Sequence, residues 1–334
     1  MLRGQIVAAG AAALLTLWGT PAAAAPPVGE PCTFVELRTV EGGDNVMLAA
    51  DRSGRYQVGA QGHWESPGVI RSRVILWRDG TPRLGPETDP YGGFAAVSST
   101  GIAVGWAHEG GQRRAVAYAY GQIVELAMPA DATEATAAAV NARGEVAGTA
   151  YGDGGAQRAV AWSPDGEVRV LATPPGFTHA SATHIDGDGT VLGYAASGAS
   201  MPDRARLVVW APGGAPRVLP VAGSADPEPQ MWPIDLRDGV AYGAQDSAFV
   251  RWDLDAGTAT IVDNGGGSIM AVNARGSMVS FGGFGQDRTV FVGNGAVRPL
   301  DQAGLWITPL ALSDNDLVFG RSNANAGPAY MDCR

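Results

Sequence analysis

Lysine is absent from this chain, so all 23 of its basic residues are arginine. Against 33 acidic residues they leave a net charge of −10 at pH 7. A chain of that sign repels phosphate backbones, which argues against nucleic acid as a partner. After the first twenty residues no long apolar run occurs, so no segment is expected to insert into a membrane. There are only two cysteines and four histidines, with no His-Glu-x-x-His or paired-cysteine spacing, so no metal site is expected. No glycine-rich phosphate loop and no Gly-x-Ser-x-Gly elbow is present. No cofactor is therefore expected, and no nucleophile can be named. Aromatic residues are scarce at 7%, yet the chain is 46% apolar, an ordinary globular composition that excludes disorder throughout.

Glycine and proline are plentiful, at 48 and 22 residues. That much turn chemistry points to many short strands rather than long helices.

The N-terminus reads as an export signal. Arg3 supplies the positive end, Ile6 to Trp18 an apolar run too short to span a bilayer, and Ala22-Ala23-Ala24 the small residues of a cleavage site. Pro26 disfavours a cut after Ala25, so cleavage is placed after Ala24. Residues 1–24 are then a signal peptide and 25–334 a single domain, extracellular or periplasmic. In an exported chain the two cysteines, Cys32 and Cys333, read as a disulfide.

The mature chain repeats itself. Ala135 to Gly148, Arg158 to Gly166 and Val168 to Leu171 show the unit: four short strands, with Asn141-Ala-Arg-Gly144 and Ser163-Pro-Asp-Gly166 as turns. The turn position holds Asp51, Ser98, Asn141, Asp186, Asp235, Asn273 and Ser313. A second glycine follows in six copies (Gly59, Gly105, Gly148, Gly193, Gly243, Gly320), and Ser280 stands in the other. The third strand is read as ending on Trp77, Tyr118, Trp162, Trp210, Trp252, Phe291 and Tyr330. Seven copies at a period of about 44 residues, four strands each, predict an all-β, seven-bladed propeller.

The seventh copy stops after its third strand. Its missing fourth strand is Cys32 to Leu37. Aligned on the third copy, Cys333 and Cys32 fall on Asp165 and Gly166. A disulfide would take the place of the covalent turn, close the ring and remove an open sheet edge.

The repeat resembles the bacterial extracellular HAF-repeat proteins, whose unit is an Asn-x-x-Gly-x-Val-x-Gly strand pair followed by a strand and a leucine. Ala139 to Gly148 and Arg158 to Leu171 match best. The His-Ala-Phe triplet itself is Arg114-Ala-Val116 and Arg158-Ala-Val160 here. The resemblance implies secretion and repeats, and carries no established reaction.

Short turns make one face tight. The longer loops gather on the other: His63 to Pro67, Pro86 to Tyr91, Ser197 to Asp203 and Gly223 to Trp232. Loops on a rigid scaffold usually carry function, so the site is expected there, near the axis. Seven residues before each turn position lie Asp44, Tyr91, Glu134, His179, Glu228, Gly266 and Trp306. They could form a ligand collar, although loop positions are polar in any case. Trp64, Trp232 and Trp306 fall in the same loops and could stack on sugars or grip a peptide, or pack under their own loops. His184 stands where five copies have alanine. With His179, Glu134 and Glu228 it could make an acid–base set, or be a satisfied structural histidine. Asp186-Gly-Asp188-Gly189 hints at calcium but lacks the distant bidentate glutamate. The recurrent Arg73, Arg114, Arg158 and Arg206 read as structural pairs.

Two functions follow. The first is a monomeric secreted module that binds carbohydrate or an extracellular protein through Asp44, Trp64, Tyr91, Trp232 and Trp306. The second is a secreted glycan lyase or hydrolase with Glu134, His179, His184 and Glu228 around the channel. A structural protein without a pocket is the third.

Overall fold

The structure, a computed structural model, describes residues 26–66, 69–197, 205–224, 226 and 228–334, with Trp64 and Val69 described by backbone alone. Residues 1–24, read above as an export signal, lie outside the described residues.

Seven antiparallel sheets stand side by side. Residues 44–88, 93–125, 132–170, 179–218, 231–262 and 268–299 form blades 1 to 6, each a four-stranded meander. Blade 7 takes three strands from residues 305–332. Its outer strand is Thr33–Glu36, paired antiparallel with Pro328–Asp332. This is the seven-bladed propeller that the repeat predicts. Cys32 and Cys333 are joined by a disulfide at the corner where the other blades have a turn. Just before it, Gly29 and Cys32 donate backbone hydrogen bonds to Val297 and Pro299, so the N-terminal segment also straps blade 6.

One irregularity recurs in every blade. The innermost strand carries a bulge, at Leu48, Ala95, Ala138, Thr183, Ile234, Met270 and Leu310. The bulge pushes a carbonyl of that strand against the second strand. A Cβ on Gly148 would lie 2.1 Å from the Thr136 oxygen, and one on Gly193 1.9 Å from the Ser181 oxygen. That collision explains the repeated second glycine.

The tryptophans join the blades. Each lies on the face turned to the preceding blade and donates its indole N–H to the carbonyl just past that blade's outer strand: Trp77 to Arg38, Trp162 to Ala127, Trp210 to Ala172 and Trp252 to Pro220, at 2.6–2.8 Å. The Trp77 bond ends on the residue after Leu37, as it must if Cys32 to Leu37 completes blade 7.

Two members of the expected aromatic series sit elsewhere. In strand register, Val292 and Met331 occupy the tryptophan position of blades 6 and 7. Phe291 and Tyr330 are one residue earlier. An offset of one turns a side chain to the other face of its sheet, so both pack toward the following blade.

Blade 5 also departs from the alignment. Its first hairpin is a two-residue turn, Asp238-Gly239, with φ of 47° and 75°. Arg237 therefore takes the buried turn position. Asp235 stands two residues earlier, level with His184 of blade 4 and with alanine in the other five blades.

Candidate functional site

The inner strands enclose a channel of about 340 Å³, lined by Ala96, Ala139, Ala271 and Ala311, by His184 and Asp235 from the same level, and by Ala50 one residue further along blade 1. Small side chains fit there because seven strands converge on one axis.

At the short-turn end the channel is crossed by charge. Arg52 of blade 1 reaches Asp186 of blade 4 at 3.1 Å and Asp235 of blade 5 at 3.8 Å, and its guanidinium also donates to the Leu236 carbonyl. Arg237, 8% exposed in its side chain, pairs with Asp235 at 2.7 Å and with Asp314 of blade 7 at 2.5 Å. Asp314 in turn accepts the Ala274 N–H of blade 6. In blades 3 and 6 the turn residue serves its own turn: Asn141 and Asn273 accept the N–H groups two and four residues on. Asp186 differs. Its carboxylate also accepts from Arg52 and from Gly239 of the next blade, while Asp188 holds the turn further on by accepting from Thr190. Asp186-Gly-Asp188 is therefore part of a cross-channel brace.

His184 belongs to this brace. Its Nδ1 lies 2.9 Å from the Thr183 hydroxyl, and a hydrogen bond links the ring to the Ile234 backbone. The ring touches the channel and so is half-buried by area, yet it stands deep within the blades. Burial lowers its pKa below the ordinary 6.5, and nearby Arg52 and Arg237 lower it further, against the opposing pull of Asp235.

The four acid–base candidates do not converge. Glu134 is held by Arg113 at 2.8 Å, and that guanidinium lies over the Tyr151 ring at 4.6 Å. His179, half-buried, starts the inner strand of blade 4 and contacts the Thr178 hydroxyl. His184 is near the other end of that strand, roughly 15 Å along. Glu228 is an exposed loop residue, and Gln230 holds the place seven residues before Arg237 that the alignment gave to it.

Among the binding candidates, Trp232 packs edge-on against Tyr194 of the preceding blade, with ring centroids 5.8 Å apart. Trp306 is 45% exposed and Tyr91 69%. The Trp64 side chain, Pro67, residues 198–203 of one expected loop and residues 225 and 227 of another lie outside the described residues.

On the long-loop face, blade 1 stands tallest. His63 to Ser66 prolong the strand Tyr56–Ser66 rather than forming a loop, and Thr81–Thr88 rises beside it. Against this wall, at the junction with blade 2, lies a cavity of about 240 Å³ lined by Asp44, Ile70, Ser72, Thr88, Asp89 and Phe94. Asp89 accepts the Tyr91 N–H at 3.0 Å, the His108 N–H at 2.7 Å, and lies 2.8 Å from His108 Nδ1. Partial burial opposes its charge, but these bonds prevail and hold its carboxyl below the usual range. Asp44, exposed, has no hydrogen bond or ion pair among the described residues. Sequence reading picked out Asp44 and Tyr91. It passed over Asp89 and His108, which lie on the link between blades 1 and 2 and on blade 2 and form no spacing motif.

Several solved structures share this architecture. A virginiamycin B lyase from Staphylococcus aureus, with quinupristin, matches with a TM-score of 0.56 at 12% identity, covering 90% of this chain and 99% of its own. The β-propeller domain of the Trilobed protease from Pyrococcus furiosus, described as having an open velcro topology, matches at 0.58 and 10% identity, covering 87% and 96%. A puromycin-hydrolyzing peptidase from Mycobacterium tuberculosis matches at 0.57 and 15%, covering 88% of this chain and 52% of its own. At these identities the likeness is one of fold. No family model matches the chain, and no curated protein matches it. Among the described residues no helix is long and apolar enough to cross a membrane, and no His, Cys, Asp and Glu cluster could hold a metal ion.

Proposed function

We propose that this chain is an exported carbohydrate-binding module whose seat is the cavity between blades 1 and 2 on the long-loop face. The observation that carries the reading is the Asp44 carboxylate, unpaired among the described residues, in a cavity whose wall includes Pro90 and Gly92, the chain neighbours of the exposed Tyr91. A free carboxylate accepts paired hydroxyls, and an exposed ring stacks on the apolar face of a sugar. At about 240 Å³ the cavity is below the roughly 300–1,000 Å³ that encloses drug-sized ligands, which suits one terminal sugar ring. Export is supported by the N-terminal segment, the disulfide and the resemblance to HAF-repeat proteins.

A glycan array of the exported protein tests this. The parent should label a defined set of sugars, and Tyr91→Ala should lose that set. An array without hits, or hits that Tyr91→Ala retains, overturns the reading.

A lyase or hydrolase is the second reading, and the Asp89–His108 pair favours it, since Asp89 lines the cavity. The aspartate would orient the imidazole as a base. Turnover of a bound glycan, lost in His108→Ala with binding retained, would establish it in place of simple binding.

A further inference from the structure

On the opposite, short-turn side, blades 1 and 2 are separated by a second groove, of about 690 Å³. Its lining is unlike the rest of this acidic chain. Arg73, Arg78 and Arg83 enter it from blade 1, with Tyr56, Tyr118 and Tyr120, and no carboxylate lines it.

Arg83, exposed, makes no ion pair or hydrogen bond among the described residues, and its charge acts on the Tyr118 phenol. Arg78, also exposed, lies over the Tyr56 ring at 5.9 Å and has as its ion pair only the loose contact of 3.8 Å to Asp79, a carboxylate that Arg55 holds at 3.3 Å. Arg73 is anchored to the Gly85 carbonyl at 3.0 Å.

Tyr118 stands where four other blades have the locking tryptophan. The residue is 6% exposed, and its hydroxyl has no hydrogen-bond partner among the described residues. A Cβ on Gly85 would lie 3.0 Å from that hydroxyl, so the ring rests directly on the neighbouring blade. The junction thus leaves a hydroxyl open on the groove wall where four others have a closed indole bond.

Tyr120 adds an independent observation. It occupies the first position of a two-residue hairpin turn, with φ of 52°, followed by Gly121 at 83°. The equivalent turns of blades 1 and 6 use Asp79-Gly80 and Asn294-Gly295, the residue types that tolerate this backbone. A tyrosine there is strained, and being 100% exposed it gains nothing from packing.

We infer that this groove is a second binding site, for a sugar bearing an anionic group. The Tyr120 ring stacks on the sugar face. Arg83 and Arg78 pair with the carboxylate or sulfate, and Tyr118 donates its free hydroxyl. The site is distinct from the Asp44 cavity, and the inference does not rest on it.

The test is titration calorimetry of the disulfide-bonded protein with three hexasaccharides: one sulfated, one of uronic acids and one neutral. At least one anionic probe should bind, weaken with added salt, and exceed the neutral probe by about tenfold or more. Arg83→Gln and Tyr120→Asn should each weaken it by about tenfold. Tyr120→Asn should also leave the thermal midpoint unchanged or raised, since asparagine suits the turn, so its loss of binding cannot be ascribed to unfolding. The sulfated and uronate arms distinguish the source of the charge. The inference is overturned if no anionic probe binds, if the neutral probe binds as well, or if both variants bind like the parent. Binding that Tyr91→Ala abolishes and Arg83→Gln does not would also overturn it, by placing the ligand on the other face.

Discussion

Arg52 extends across the central channel to Asp186, 3.1 Å away, and so ties blade 1 to blade 4, which are not neighbours in the ring. A propeller held only by contacts between adjacent blades can open at any junction. A cross-channel ion pair couples distant junctions and closes one mouth of the channel.

The brace should matter to stability more than a surface ion pair does. Arg237 is buried, and its removal leaves Asp235 facing the channel with its main partner gone. Arg237→Ala should cost about 3–5 kcal/mol, measured by urea denaturation. Arg55→Ala, whose partner Asp79 is well exposed, should change stability by less than about 1 kcal/mol.

The bulge rule predicts a contrast between two glycines. Gly148→Ala places a methyl 2.1 Å from the Thr136 carbonyl oxygen and should cost about 3 kcal/mol or more. Gly187→Ala meets nothing within 4 Å and should be neutral to within about 0.5 kcal/mol. Equal effects in the two variants would remove the steric account of the second glycine.

The disulfide spans 301 residues of sequence. The chain-entropy model assigns such a loop about 5–6 kcal/mol. Replacing both cysteines by serine should lower the thermal midpoint by roughly 10 °C. Limited proteolysis of that variant should first release the N-terminal segment. Cleavage starting elsewhere would show that the outer strand of blade 7 holds without its link.

His184 predicts a dependence on pH. Its folded pKa lies below the ordinary 6.5, so the unfolded chain binds more protons in the window between the two values. Stability should therefore fall as pH drops below about 6.5, at no more than about 1.4 kcal/mol per pH unit from this group, and level off below the folded value. His184→Gln should flatten that slope. An unchanged slope would assign the acid sensitivity to other groups.

The repeat made the architecture readable before any coordinates, because a blade cannot bury its faces alone and every copy must obey the same steric rules. The ring closure was readable too, since only one alignment of Cys32 and Cys333 completes blade 7. Errors arose where one blade changed the rule locally. A shorter turn in blade 5 moved Asp235 into the channel and Arg237 into its former place. A one-residue offset turned Phe291 and Tyr330 to the other side of their sheets. The brace and the Asp89–His108 pair were beyond sequence reading for another reason. Their members lie on different blades, or on a blade and the link before it, and no local pattern records which blades face one another.

The most direct test of the proposed function is a crystal of the protein soaked with the strongest sugar from the array. The account predicts density for a terminal sugar within hydrogen-bond reach of the Asp44 carboxylate, with its ring against Tyr91. Sugar density at the short-turn mouth near Arg52 and Asp186, with the Asp44 cavity filled only by water, would contradict it.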